Sequence, residues 1–291
     1  MTYLIKSGGL SSCEVICEAD ASDVACIMYT SGTTAKPKGV LITHENYLFA
    51  GHSSVLYQQL TPDDRYLIFL PLFHANSQYY TSMATLVVGG TIILRERFSS
   101  TDFWNVVDRY QPTATSLVAT TIKMLLEMPE QEKEKGHPLK RAGYGLFVPY
   151  PELLTFQERF GISLYLWYGM TETITTNIVT PLYEEMVRDP ENGIVSIGKP
   201  GLGHEVKIID EDGEELPYGE VGQILIKGPS LMKGYFKNLE ATSQTLQGGW
   251  LHTGDSGYMN EDGFIWFIDR SKDLIKRAGE NISSIEVENI L

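Results

Sequence analysis

Short apolar runs alternate with longer amphipathic stretches over the first two thirds of the chain. Residues 24–28 form a continuous apolar run that predicts a strand covered on both faces, and residues 39–42 predict a second strand. Thr43 is placed to cap a helix that follows directly. The alternation continues with predicted strands at 66–70, 91–94 and 164–167 and predicted helices at 78–88, 101–110 and 121–128. This pattern predicts a layered α/β core with parallel strand pairing.

From about residue 198 the pattern changes to short β-like runs separated by turns. The runs at 206–209, 221–226 and 264–268 are bounded by Glu-Asp-Gly turns at 211–213 and 261–263. They predict a small antiparallel β subdomain. The sequence therefore predicts an α/β core over residues 1–197, a β-rich subdomain over 198–268, and a hinge with the start of a further domain over 269–291.

Composition narrows the possible partners. The chain has 291 residues, 43% of them hydrophobic, with a formal net charge of -14. An acidic chain of this kind disfavours nucleic acid or an anionic membrane as the main partner, because both require clustered cations. The sequence contains no apolar run near the ~20 residues of a membrane span and opens with no signal peptide pattern, so we expect a cytoplasmic protein. Its three cysteines form neither a disulfide framework nor a zinc pattern.

The segment from residue 29 to residue 39 lies between the first two predicted strands and could bind phosphate. It carries four Ser/Thr hydroxyls, two lysines and two glycines, which suit a backbone-rich loop around phosphate oxygens. The spacing is not that of a Walker loop. A mobile polar hairpin loop is the simpler alternative.

Four segments together resemble the adenylate-forming superfamily, which comprises acyl-CoA synthetases, luciferases and the adenylation domains of peptide synthetases. They are the loop at 29–39, Tyr-Gly-Met-Thr-Glu at 168–172, Gly-Trp-Leu-His-Thr-Gly-Asp at 249–255, and the stretch 269–276 followed by Gly-Glu-Asn at 279–281. The resemblance implies that a carboxylate attacks the α-phosphorus of ATP to give an acyl-adenylate and pyrophosphate. Coenzyme A would then accept the acyl group.

The resemblance also implies roles for individual residues. The phosphates would be held by Thr30, Ser31, Gly32, Thr33, Thr34 and Lys36, with added charge from Lys38. Adenine would lie near Gly145, Tyr168 and Gly169, the ribose near Asp255 and Arg270, and the α-phosphate near Thr171. Glu172, the only acid in its motif, would ligate Mg²⁺.

Each of these residues also has a structural interpretation. Glu172 could be an acidic residue at a helix N-terminus, Asp255 a turn or N-cap residue, Arg270 half of a surface ion pair, and Tyr168 an ordinary core tyrosine.

The last of the four segments contains the residues that the resemblance assigns to the hinge between domains and to the path of the thiol. Lys272 occupies the hinge position of the superfamily and Gly279 would line the thiol path. Relatives in this superfamily carry more chain on both sides, including a C-terminal lid with a catalytic lysine. We therefore expect a fragment that binds nucleotide better than it turns over.

The acid pocket is less sharply defined. His74 resembles a gate between the acyl pocket and the thiol tunnel, although a lone histidine after an apolar strand is more often structural. Candidate pocket walls are Asn76, Tyr79, Tyr144 and Trp167. Residues 143–148 depart from the small-residue pattern of the superfamily beside adenine.

Beyond the shared motifs, the chain is most similar to the crotonobetaine/carnitine-CoA ligase group. A quaternary ammonium would find aromatic faces at Tyr79, Tyr144 and Trp167, but such walls also suit a benzoate or a short fatty acid. Open alternatives are an adenylation domain that loads a carrier protein, a fatty acyl-AMP ligase, and a non-catalytic nucleotide-binding module. A homo-oligomer is also possible.

Overall fold

The computed structural model describes residues 18–30, 37–145 and 147–270, together with the backbone of two short strands further along the chain. The helices are α1 (His44–Gln58), a π-helix (Asn76–Met83) continued by α2 (Ala84–Val88), α3 (Phe103–Tyr110), α4 (Ala119–Leu126), α5 (Tyr150–Phe160) and α6 (Leu239–Thr245), with one 3-10 turn at Glu132–Glu134. The strands are β1 (Val24–Tyr29), β2 (Gly39–Thr43), β3 (Arg65–Ile68), β4 (Thr91–Leu94), β5 (Ala114–Val118), β6 (Arg141–Gly145), β7 (Ser163–Tyr168), β8 (Ile178–Val179), β9 (Lys199–Pro200), β10 (Glu205–Ile209), β11 (Gly222–Lys227), β12 (Gly234–Tyr235), β13 (Leu246–Gln247), β14 (Trp250–Met259), β15 (Ile265–Arg270), β16 (Ile275–Arg277) and β17 (Glu280–Ile282).

A seven-stranded sheet forms the α/β part of the molecule. Its order is β4-β3-β5-β6-β7-β8-β9, and the pairs among the first five strands are parallel. The last two strands join antiparallel. Helices between parallel strands bury the sheet, so the prediction of a layered α/β core with parallel pairing is confirmed.

The first strand was predicted to be covered on both faces, and this was wrong, because the first two residues of β1 are exposed. The strand pairs antiparallel with β2 across the loop that joins them. The short strand β12 completes this three-stranded sheet through pairing of Tyr235 with Val40. An apolar run alone does not distinguish a central strand from one in a small accessory sheet.

A second, antiparallel sheet follows, as the sequence predicts. Strands β10, β11, β14 and β13 lie in that order, and β15 pairs with β14. The boundary at residue 198 stays a prediction. Two later strands, β9 and β12, pair with sheets of the first part.

Helix α1 buries a polar face. Its buried residues include Ser53 and Gln58, whereas Leu48 and Leu56 are exposed. The Gln58 amide donates to the Tyr80 carbonyl at 2.6 Å, and the Tyr165 hydroxyl donates to the Gln58 amide oxygen at 3.0 Å. This helix therefore positions aromatic residues in part through buried hydrogen bonds.

The predicted cap at Thr43 is confirmed. The Thr43 hydroxyl accepts from the Asn46 N–H at 3.2 Å, and the Asn46 side chain accepts from the Thr43 N–H at 3.0 Å. Because Thr43→Ala removes one half of this reciprocal pair, we expect it to cost about 1 kcal/mol of unfolding free energy in urea. Thr101→Ala, which removes an exposed turn hydroxyl, is the control, and an equal loss in both variants would contradict the capping role.

Candidate active site

The loop after β7 carries Glu172 in a tight turn. The N–H groups of Thr173 and Ile174 both donate to the Met170 carbonyl. Ile174 has a φ of 64°, a conformation that is rare for a β-branched residue. No helix begins in this turn, so the interpretation of Glu172 as a helix N-terminal charge is wrong.

Gly169 lies where the chain enters this turn and leaves no room for a side chain. A Cβ there would lie 2.7 Å from the Thr175 carbonyl oxygen and 2.8 Å from the Tyr80 hydroxyl. The Ser53 hydroxyl lies 2.9 Å from that of Thr175, which links the loop to α1. A larger residue at Gly169 would therefore displace the whole segment.

Glu172 is held at both its side chain and its backbone. The residue is 6% exposed, and its carboxylate accepts from the Tyr235 hydroxyl at 2.7 Å. The Glu172 carbonyl accepts from the Met232 N–H at 2.9 Å. Burial, followed by the charge of Glu172, raises the pKa of Tyr235 above its ordinary value, so the hydroxyl keeps its proton. Thr171 lies beside Glu172 and is partly exposed.

Asp255 and Tyr168 form a second polar pair. The Tyr168 hydroxyl donates to Asp255 Oδ2 at 2.5 Å, and Arg270 Nε lies 3.7 Å from Oδ1. Asp255 lies within β14, where it pairs with Arg270 of β15, so it is not a helix N-cap. Arg270 does form an ion pair, with an Asp255 that is 7% exposed rather than with a surface acid.

Several neighbours shift the pKa of Asp255. Burial raises the pKa of Asp255, the hydrogen bond from Tyr168 and the charge of Arg270 lower it, and the negative charge of Glu172 raises it further. Tyr168 comes four residues before Glu172, so its hydrogen bond to Asp255 joins the segment that carries Glu172 to β14. The structure thus brings together Tyr168, Glu172, Asp255 and Arg270 from three separate segments.

The predicted phosphate loop is described only at its ends. The Thr30 N–H donates to the Lys38 carbonyl at 3.0 Å, which closes the base of the loop. The Lys38 ammonium donates to the Tyr235 hydroxyl at 3.0 Å and lies 4.1 Å from the centre of the Tyr235 ring. Other residues assigned to this loop lie outside the described residues, namely Ser31, Gly32, Thr33, Thr34 and Lys36.

The acid-pocket candidates divide between two regions. Tyr79 and Trp167 belong to one buried cluster, whereas Tyr144 packs in the other core cluster, behind the seven-stranded sheet. A Cβ on Gly143 would lie 2.5 Å from the Trp167 ring, and a Cβ on Gly145 would lie 3.7 Å from the same ring. The Trp167 indole therefore lies across β6, and Tyr144 does not share a wall with Tyr79 and Trp167.

His74 is exposed and lies just before the π-helix. Its ring packs on Phe73 with centroids 4.7 Å apart, and its carbonyl accepts from the Gln78 N–H. Asn76 and Tyr79 are on the π-helix itself, a geometry frequent at functional sites that sequence periodicity does not predict. The remaining candidates, Lys272 and Gly279, lie outside the described residues.

Sequence reasoning missed Tyr235. It sits in a two-residue strand without a pattern of its own, and only its position across from Val40 brings it to Glu172. Its one available signal was an aromatic residue after glycine, which is too common to select a site residue.

Among the residues that the structure describes, no three His, Cys, Asp or Glu side chains form a preformed metal cage. In the same part of the chain, no helix combines the length and the apolar character that crossing a bilayer requires.

Comparison with known proteins identifies the family. The family model described as AMP-binding enzyme matches residues 8–236. The crotonobetaine/carnitine–CoA ligase of Citrobacter koseri is 43% identical over 273 residues, which are 92% of this chain and 52% of that protein. The chain therefore spans about half the length of the curated relatives that it matches.

Solved structures agree. The O-succinylbenzoate coenzyme A synthetase of Bacillus subtilis, in complex with ATP and magnesium ion, has a TM-score of 0.81 and 36% identity, covering 93% of this chain and 55% of that one. ATP-bound MatB from Rhodopseudomonas palustris has a TM-score of 0.83 and 29% identity, and the match covers 94% of this chain and 53% of that one. These matches confirm the resemblance seen in the sequence motifs, and the chain belongs to the AMP-binding enzyme family of adenylate-forming enzymes.

Proposed function

We propose that the chain is the nucleotide-binding part of an acid-thiol ligase. In the first step a carboxylate oxygen attacks the α-phosphorus of ATP and pyrophosphate leaves. In the second step the thiol sulfur of coenzyme A attacks the acyl carbon and AMP leaves. Both steps depend mainly on positioning and on stabilisation of charge by the protein.

One observation supports this proposal most: Tyr168, which ends the strand before the turn of Glu172, donates a hydrogen bond to the Asp255 carboxylate of β14. The Asp255 carboxylate can accept two hydrogen bonds from the ribose hydroxyls. Tyr168 would contact adenine, and its bond to Asp255 already sets the orientation of that carboxylate. Lys38 and Thr30 hold the base of the loop that would contact the phosphates.

Magnesium fits the residues present. It commonly binds through one or two carboxylates plus substrate phosphates rather than in an all-protein cage, which matches a single buried Glu172. When bound, Mg²⁺ neutralises charge on the phosphates. Glu172 would hold it, and the turn at Met170 fixes the direction of that carboxylate.

The acceptor step would use residues on either side of the acyl group. His74 is exposed beside Phe73, so it is accessible as a gate for the thiol. We assign Lys272 to the hinge and Gly279 to the thiol path from their sequence positions alone.

For the acid we propose a small betaine of the carnitine type. The support is the name of the 43%-identical relative from Citrobacter koseri, together with the aromatic cluster that contains Tyr79 and Trp167. Aromatic faces attract a quaternary ammonium by up to ~2 kcal/mol when both are desolvated. Tyr144 is not part of this proposal, because it packs in the other core cluster.

A matched pair of acids tests the charge requirement. γ-Butyrobetaine and 5,5-dimethylhexanoate have the same shape and differ by one cationic nitrogen. In acid-dependent ATP–pyrophosphate exchange we expect at least a 10-fold preference for the betaine, because ~2 kcal/mol corresponds to roughly 30-fold. The assay uses this chain and, where the gene encodes more, its complete product.

Other acids widen the test. Carnitine and crotonobetaine should support ATP–pyrophosphate exchange as γ-butyrobetaine does. Benzoate and short fatty acids should not. Equal use of the uncharged isostere would contradict the betaine assignment and keep the ligase chemistry. Exchange that does not depend on any added acid would contradict both the betaine assignment and the ligase chemistry.

A further inference from the structure

The Tyr235 hydroxyl lies between two opposite charges. It accepts from the Lys38 ammonium at 3.0 Å and donates to Glu172 Oε1 at 2.7 Å. The Lys38 ammonium also lies 4.1 Å from the ring centre. One phenol therefore joins the end of the phosphate loop to the carboxylate assigned to the metal.

Tyr235 is fixed from several directions. The residue is 4% exposed, and its backbone pairs with Val40 of β2. Its N–H donates to the Thr242 hydroxyl at 2.9 Å. Because Met232, three residues earlier, donates to the Glu172 carbonyl, this short segment holds both the backbone and the side chain of Glu172.

A neutral group in this place has an electrostatic consequence. A lysine and a carboxylate that approach each other in a partly buried site attract strongly and would close into a direct ion pair. Such a pair would neutralise Lys38, which stands at the end of the predicted phosphate loop, and would occupy Glu172. The Tyr235 hydroxyl satisfies one donor and one acceptor at once, so both charges stay bonded and separate.

We infer that Tyr235 is a positioning residue that keeps Lys38 and Glu172 apart, so that Lys38 serves the phosphates and Glu172 serves the metal. This inference rests on the proposed function, since it assumes a metal–nucleotide ligand at the site. It adds that the separation of the two charges, and not only their presence, is required for metal-dependent binding.

The direct test is Tyr235→Phe, which keeps the ring and removes the hydroxyl. Nucleotide binding is titrated calorimetrically with Mg²⁺ and, separately, with excess EDTA, and Mn²⁺ binding is followed by electron paramagnetic resonance. We expect about a 10-fold loss of affinity for the metal–nucleotide complex and a smaller loss with EDTA, because the direct ion pair takes both Glu172 from the metal and Lys38 from the phosphates in the first case and only Lys38 in the second.

A double variant separates positioning from packing. In Lys38→Met/Tyr235→Phe no cation remains to close onto Glu172, so we expect metal binding to recover most of what Tyr235→Phe loses. If the losses of binding free energy in the two single variants simply add in the double variant, the inference is overturned. Tyr258→Phe is the matched control, since it removes a tyrosine hydroxyl that donates to Asp189 outside the site, and it should bind as the parent chain does.

The outcomes distinguish this inference from the function on which it rests. If the parent chain binds no metal–nucleotide complex, the proposed function fails. If the parent chain binds it and Tyr235→Phe binds it equally well, only the role of Tyr235 fails. Should Tyr235→Phe not fold, Lys38→Met alone decides, because it should weaken nucleotide binding with EDTA while the gain from added Mg²⁺ stays unchanged; loss of that gain would overturn the inference.

Discussion

Glu172→Gln is expected to lower acyl-adenylate formation about 10²–10³-fold and to remove the metal-dependent part of ATP binding. The proposed function assigns the buried Glu172 carboxylate to Mg²⁺ as a charged oxygen ligand, and an amide oxygen is a far weaker ligand for Mg²⁺. The amide oxygen can still accept from Tyr235, so the turn should keep its geometry. ATP titrations with and without Mg²⁺, together with pyrophosphate exchange, measure both effects.

The control for Glu172→Gln is Glu205→Gln, which neutralises an exposed carboxylate paired with Lys227. Surface pairs of this kind contribute little, so no change in nucleotide binding is expected. Metal-dependent binding that survives in Glu172→Gln would show that another residue ligates Mg²⁺.

Asp255→Asn should weaken ATP binding about 10- to 100-fold, because one acceptor for the ribose hydroxyls is lost. The loss can be assigned with 2′-deoxyATP. The parent chain should prefer ATP over 2′-deoxyATP, and Asp255→Asn should bind both with similar affinity. Asp262→Asn, at an exposed turn, is the control. An undiminished preference for ATP in Asp255→Asn would place the ribose elsewhere.

The same substitution should not lower stability at neutral pH. Burial raises the pKa of Asp255 above its ordinary 3.8, so the folded state holds this proton more tightly than the unfolded state does. The resulting stabilisation is fully present below pH 3.8 and is lost as the pH rises through the folded-state pKa. At pH 7 the buried, charged Asp255 carboxylate lowers the free energy of unfolding, and an asparagine at this position does not. Thermal melting of the parent chain and of Asp255→Asn at pH 7 and pH 4 checks the sign of this effect.

Several elements of the fold are readable from local sequence because local contacts determine them. Thr43 caps α1 through Asn46, three residues away, and β4 coincides with the apolar run at 91–94. In contrast, β5 and β6 carry alanine, glycine and hydroxyl residues instead of an apolar run, and they became strands because the sheet surrounds them. Tertiary context overrides propensity in such strands.

The candidate site shows the same division. Glu172 and Asp255 stand in long motifs, so resemblance selects them. Their pairing with Tyr235 and Tyr168 depends on strand register over sequence separations of 63 and 87 residues, which no local pattern encodes. The separation of Tyr144 from Trp167 follows from the opposite faces that a strand presents, and it required knowledge of which face meets which core.

The proposed function requires that one site binds the nucleotide and the acyl group together. The most direct measurement is the affinity of a non-hydrolysable betaine acyl-adenylate analogue, an acyl sulfamoyladenosine, in competition with ATP. Because the analogue spans both halves of the site, we expect it to compete with ATP and to bind at least about 100-fold more tightly than AMP. An analogue that fails to compete with ATP, or that binds no better than AMP, would contradict a joint acyl and nucleotide site in this chain.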